Sequence, residues 1–250
     1  MEDQLPFLEM ERWTFEEEQK PGFSTLEKKD MMNLLVSKWG LSDMVLRSFV
    51  YTGEIPVPFN PSDFFLSFFQ TRGLSTFKVE SLVVEELTAN TTGKGIWKKL
   101  WTPPNNIMRN SSGHYITKCP DHHVRGMWLS DCLQVAIFDE DSEEYDAFTP
   151  EDRKELIFNV MKSCVIGGQI CQYEDEFDVY EPVITSLYKD LVGQSVVKTS
   201  SGAISVVARA YILKEINQER VRLDEDRSFC FLVIDTVAKK VRLMSYNCAY

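Results

Sequence analysis

A chain of 250 residues that is 44% hydrophobic and 26% charged, with 16 Phe, 9 Tyr and 5 Trp, has the apolar material for a packed core, which excludes an extended disordered chain. Its 27 basic against 38 acidic residues leave a net charge of −11, the wrong sign for neutralising phosphates or anionic lipid, so neither nucleic acid nor membrane is expected as a partner. Met1-Glu2-Asp3-Gln4 has no basic, apolar leader character, no apolar run reaches the roughly 18–20 residues of a membrane span, and six scattered cysteines suit a reducing compartment. A soluble intracellular protein is expected.

Residues 1–22, acidic and irregular around Glu16-Glu17-Glu18 and Pro21-Gly22, are expected to form a flexible arm. The rest, 23–250, reads as one α+β domain, with a division into two lobes conceivable near 89–111. Ser24 is placed to cap a helix over 25–39 that Gly40 stops. The β-branched and aromatic run 45–51 predicts a strand. Asn60-Pro61-Ser62-Asp63 starts a second helix, with Pro61 preset for its first turn. That helix carries Phe64, Phe65, Phe68 and Phe69, better suited to a core than to a docking surface. Residues 77–87 alternate as a strand. From 89 to 112, Thr, Asn, Gly and Pro surround Ile96-Trp97-Lys98-Lys99-Leu100-Trp101 and predict a long loop.

The second half is more regular. An apolar run over 129–138 is followed by a solvated acidic turn, Asp139-Glu140-Asp141-Ser142-Glu143-Glu144. Thr149 is an N-cap with Pro150 behind it, opening a helix through Leu156, Val160 and Cys164 that ends at Gly167-Gly168. A further amphipathic helix spans 177–191 around Pro182. Strands are predicted at 195–198, 203–214, 229–235 and 240–246, the last two as a hairpin around Thr236-Val237-Ala238-Lys239. Helices followed by such strands indicate α+β, with helices packed on a mainly antiparallel sheet.

One stretch has metal-ligand chemistry: His114, Cys119, His122, His123 and Cys132. Imidazole and thiolate suit tetrahedral zinc, making His114, Cys119, His122 and Cys132 the candidate ligands, but the loose spacing favours an ordinary loop with buried thiols. A Cys–His nucleophile would need Cys119, His114 or His123, and Asp121 or Asp131 as orienter, and no oxyanion site accompanies them. Gly93-Lys94-Gly95 lacks the spacing of a phosphate loop, and Cys164 and Cys171 are too far apart for a redox pair. Glu174-Asp175-Glu176 and Asp178 lack the order of a calcium loop and suit a helix start. No catalytic residue, metal or cofactor is expected.

Several blocks occur in a fixed order: Ser112-Gly113-His114-Tyr115-Ile116-Thr117-Lys118-Cys119, Glu140-Asp141-Ser142-Glu143-Glu144-Tyr145, and Pro150-Glu151-Asp152-Arg153-Lys154-Glu155-Leu156-Ile157-Phe158. Gly167-Gly168, Cys171-Gln172-Tyr173-Glu174-Asp175 and Leu187-Tyr188-Lys189-Asp190-Leu191-Val192 follow. This succession resembles the cilia- and flagella-associated protein 300 family. His114 and Cys119 lie within the pattern; His122 and His123 do not. The resemblance implies a non-enzymatic factor for assembling or transporting outer and inner axonemal dynein arms, located in the cytoplasm and the motile cilium. Implied partners are kintoun-type dynein assembly factors, axonemal dynein subunits and the intraflagellar transport machinery. It transfers no catalytic residue. For a contact surface, the block 167–176 is the candidate, with Gly167, Gly168, Gln172, Tyr173, Glu174 and Asp175: a Gly-Gly helix end would hold an aromatic and acidic groups at a fixed corner. A tight packed connection between two helices is the alternative.

Overall fold

The computed structural model describes residues 12–71, 78–91, 93–102, 105–109, 114–168, 173–198, 204–220 and 227–246. In chain order, β1 (Phe15–Glu17), α1 (Ser24–Glu27) and α2 (Lys29–Asn33) lead into a π-helical turn, Leu34–Lys38. Next come β2 (Val45–Tyr51), α3 (Pro61–Gln70), β3 (Leu82–Leu87), α4 (Lys94–Leu100), β4 (Met108–Arg109) and β5 (Tyr115–Ile116). A hairpin, β6 (Lys118–Val124) and β7 (Met127–Asp131), runs into α5 (Cys132–Phe138), a 3-10 turn at Glu143–Ala147, α6 (Pro150–Lys154), α7 (Leu156–Ile166) and α8 (Phe177–Val192). The chain finishes in β8 (Val196–Lys198), β9 (Ile204–Val206), β10 (Arg209–Ile216), β11 (Glu219–Arg220), β12 (Phe229–Asp235) and β13 (Lys240–Tyr246).

The fold is α+β. Seven strands form one sheet in the order β1–β2–β13–β12–β10, with β3 along the far side of β10 and β11 turning back beside its end. All pairings within it are antiparallel, and β12–β13 form the expected hairpin. Side chains alternate across a strand, so β12 splits its residues between two cores: Phe229, Phe231 and Val233 join one, and Cys230, Leu232 and Ile234 the other. The first core lies under α7 and α8. The second lies under α3, whose Phe64, Phe65, Phe68 and Phe69 are all buried, each contributing about 1.5–3 kcal/mol by leaving water. The sheet is therefore covered on both faces.

Several expectations need correction. Of the supposed arm, residues 1–11 lie outside the described residues, but β1 pairs with β2, and Trp13 and Phe15 bury their rings edge-on against Phe64. The arm's acidic run is anchored too, Glu17 on Arg47 and Glu18 on Ser48 and Lys240. Ser24 caps nothing with its side chain. Its amide and that of Thr25 donate to Asp190 of α8 (2.9 and 2.8 Å), so a carboxylate from another helix takes up the first amides of α1. The helix expected over 25–39 is also broken into α1, α2 and the π-helical turn. The long loop expected over 89–112 contains α4, which buries Ile96, Trp97 and Leu100.

The helix from Thr149 begins as expected, with a capping box to Asp152, but breaks at Glu155, where the Leu156 amide donates to the Thr88 carbonyl (2.7 Å) beside the end of β3. Arg153 in that short first segment is turned inward. Its guanidinium donates to the Ala136 and Tyr145 carbonyls (2.8 and 2.7 Å) and stacks on the Tyr145 ring, holding the C-terminal carbonyls of α5 against the 3-10 turn. The strand expected over 203–214 is two, β9 and β10, with β9 paired to β8 in a separate ribbon.

Candidate functional site

The β6–β7 hairpin turns through Arg125 and Gly126, both at positive φ (48° and 83°), a backbone shape that Gly126 adopts without a Cβ penalty. Alternation along β7 buries Met127, Leu129 and Asp131 and turns Trp128 and Ser130 outward, leaving Trp128 60% exposed. Asp131 ends the strand and caps α5, its Oδ1 accepting from the Gln134 amide at 2.8 Å. The hairpin is thus fixed to the core along one side only.

Facing it is the corner between α7 and α8. The Gly168 amide donates to the Trp39 carbonyl at 2.7 Å, and the backbones approach so closely that a Cβ on Gly168 would run into the Gly40 carbonyl oxygen. Past Gln172, which lies outside the described residues, the chain is extended. The Asp175 carbonyl accepts from the Ile116 amide (2.8 Å), and the Phe177 amide donates to the His114 carbonyl (2.9 Å). Alternation here turns Glu174 inward, where it accepts from the Trp39 indole at 2.7 Å and from Lys38. Tyr173 (57% exposed) and Asp175 point out.

Hairpin and corner together enclose an open groove of about 530 Å³. Trp128 and Tyr173 provide its aromatic surfaces, and Cys119, Asp121, Ser130 and Asp175 its polar ones. At the Tyr173 end the Lys118 ammonium lies 4.0 Å from the Tyr173 ring centroid and 3.1 Å from Asp175 Oδ1. Burial, reinforced by the carboxylates of Asp131, Asp121 and Glu144, pushes the Cys119 thiol above its ordinary range. Burial likewise drives Cys132 up to about 11, with Cys119, Glu144 and Asp131 adding to it. Both shifts disfavour the thiolate, and the hydrogen bonds of His114 and His122 go to Asp178, Asp139 and the Pro120 carbonyl rather than to Cys119.

Of the contact candidates, Tyr173 and Asp175 reach the groove. Gly167, Gly168 and Glu174 form the packed connection behind it. The zinc candidates do not converge. His114 bonds to Asp178 in the first turn of α8 and stacks on Trp101 (4.8 Å), whereas His122 bonds to Asp139 (3.1 Å) and the Pro120 carbonyl (3.2 Å). Cys119 lines the groove and Cys132 is buried in α5. Among the described residues no group of three or more His, Cys, Asp and Glu side chains could hold a metal ion. Sequence reasoning missed Trp128. The available signal was its outward position in an alternating strand just after a glycine turn.

A family model described as Cilia- and flagella-associated protein 300 matches residues 12–246. A Paramecium tetraurelia protein named Cilia- and flagella-associated protein 300 is 31% identical over 174 residues, 67% of this chain and 68% of that protein. One of the same name from Chlamydomonas reinhardtii is 27% identical over 163 residues, covering 63% of this chain and 62% of that protein. No solved structure matches. The family match takes in both β1 and β13, the first and last strands of the fold, and the chain belongs to the cilia- and flagella-associated protein 300 family.

Proposed function

We propose that this chain is a non-catalytic protein-binding factor of motile cilia, serving the assembly or transport of outer and inner axonemal dynein arms from the cytoplasm to the axoneme. The carrying observation is the groove itself. Two large aromatic side chains stand exposed on either side of it, on elements whose other apolar residues are buried. Exposed aromatics beside fixed polar groups favour protein contact, since Trp and Tyr bring large area at little entropic cost. The raised thiols of Cys119 and Cys132 speak against nucleophilic chemistry in the same place. Family membership directs the reading to cilia. Partners consistent with it are kintoun-type dynein assembly factors, axonemal dynein subunits and the intraflagellar transport machinery.

The test is deletion of the gene in ciliated cells, with re-expression of wild-type or Trp128→Ala/Tyr173→Ala chains and proximity labelling from each. Deletion is expected to leave cilia that form but beat poorly, with dynein arms missing. The wild type restores the arms and labels dynein subunits and their assembly factors, and the double variant does neither. Normal beating with arms in place after deletion overturns the assignment.

A further inference from the structure

We propose that the groove binds an exposed arginine side chain of a partner protein, the guanidinium stacking on Trp128 and pairing with Asp121. This rests on the reading of the groove as a contact face and specifies the chemistry of what it takes. One end already displays such binding. Tyr173 and Asp175 hold the Lys118 ammonium by an aromatic face and a carboxylate, an arrangement that selects cations.

The other end has the same two components, Trp128 and, two residues along β6 from its cross-strand partner His123, Asp121. Among the described residues no ion pair or cation–π contact joins them to a cation, although Arg227 shares a separate recess with Trp128. Trp128 is the most exposed tryptophan described, touched edge-on by His123 (5.3 Å). Asp121 is exposed and pairs with no cation among the described residues. Carboxylates outnumber the cation that lines the groove, Asp121 and Asp175 against Lys118, and Asp131, Asp121 and Glu144 all act against ionisation of the Cys119 thiol. A net charge of −11 extends that sign over the molecule and favours approach of a basic partner. Arginine suits the site better than lysine because its planar guanidinium can stack on an indole while donating to a carboxylate in its own plane. Pro120 lies in β6 and offers no backbone N–H, so recognition there falls to side chains.

The experiment titrates the purified full-length chain with an acetylated, amidated Gly-Ser-Arg-Ser-Gly peptide, and with versions carrying lysine, citrulline or glutamate at the central position. Binding is followed by isothermal titration calorimetry, which reads every variant alike, and in the wild type and Asp121→Asn also by the indole resonance assigned to Trp128. The arginine peptide is expected to bind about tenfold more tightly than the citrulline peptide and to weaken by a similar factor on Trp128→Ala or Asp121→Asn. Both positions are exposed, and unchanged thermal unfolding will confirm that the variants are folded. Equal binding of arginine and citrulline peptides, stronger binding of the glutamate peptide, or arginine binding unaffected by either substitution overturns the proposal. Proximity labelling with the Trp128→Ala chain separates the two readings. Loss of labelled neighbours without peptide discrimination keeps the contact face and removes the cation. Discrimination with unchanged neighbours keeps the cation site and removes the groove from the contacts that the assembly role uses.

Discussion

The indole N–H of Trp39 donates to Glu174 Oε1 at 2.7 Å, both side chains being buried, and Lys38 closes on the other carboxylate oxygen. This contact ties the end of the π-helical turn to the corner that turns Tyr173 and Asp175 toward the groove. Trp39 is held in turn by the Tyr180 ring (5.0 Å) of α8. The groove wall therefore depends on a carboxylate that never reaches the groove.

Glu174→Ala leaves a buried indole donor and a lysine without their acceptor. Unfolding in urea is expected to show a loss of about 2–3 kcal/mol, and Glu174→Gln, which can still accept from Trp39, about 1 kcal/mol. A loss under about 0.5 kcal/mol for the alanine variant would show that the contact is dispensable.

Two glycines separate close packing from backbone freedom. A methyl group on Gly168 meets the Gly40 carbonyl, which is backbone and cannot swing aside. Gly168→Ala is expected to cost more than about 3 kcal/mol or to abolish folding. Gly126 has nothing within 4 Å of a Cβ, and only its φ of +83° resists alanine. Gly126→Ala should cost about 1 kcal/mol. Comparable melting temperatures for the two variants would refute this account of the corner.

What sequence could and could not reveal follows from the range of the forces involved. The boundaries of β12 and β13, the cap at Thr149 and the start of α3 at Asn60 depend on neighbours within a few residues, and they agree with expectation. Errors came where a distant group decided the outcome. Asp190 replaced Ser24 as the cap of α1, Thr88 broke the helix at Glu155, and Phe64 drew Trp13 and Phe15 out of a supposed arm. The site was half legible for the same reason. Alternation around Glu174 and along β7 is local, but the meeting of Tyr173 with the hairpin is tertiary.

Acid should weaken the anchoring of β1. The Arg47 hydrogen bond holds Glu17 below the ordinary glutamate value of 4.5, against a small penalty from burial. Burial pushes Glu18 up, but bonds from Lys240 and Ser48 outweigh it and the net shift is again downward. Groups depressed in the folded state stabilise it fully above their unfolded value, and that contribution drains as pH falls through the folded values. Urea unfolding between about pH 6 and pH 3 should therefore show a steeper loss for the wild type than for Glu17→Gln/Glu18→Gln, which starts lower and varies less. Parallel profiles would mean that these pairs contribute nothing.

Cys119 offers a test of the negative field in the groove that is independent of any partner. Its thiol is half buried and raised by burial and by Asp131, Asp121 and Glu144. Since the thiolate is the reactive form, iodoacetamide at about pH 7.5 should modify Cys119 more slowly than free glutathione. Cys132 and Cys164, raised by burial, should resist until the chain unfolds. Peptide-resolved mass spectrometry reads each sulfur separately. Removing a carboxylate lowers the cost of the thiolate, so Asp121→Asn and Glu144→Gln should each speed Cys119 modification by about two- to threefold. A wild-type rate above that of glutathione would instead restore Cys119 as a nucleophile. Slower modification in the neutralised variants would contradict the negative groove on which arginine recognition depends.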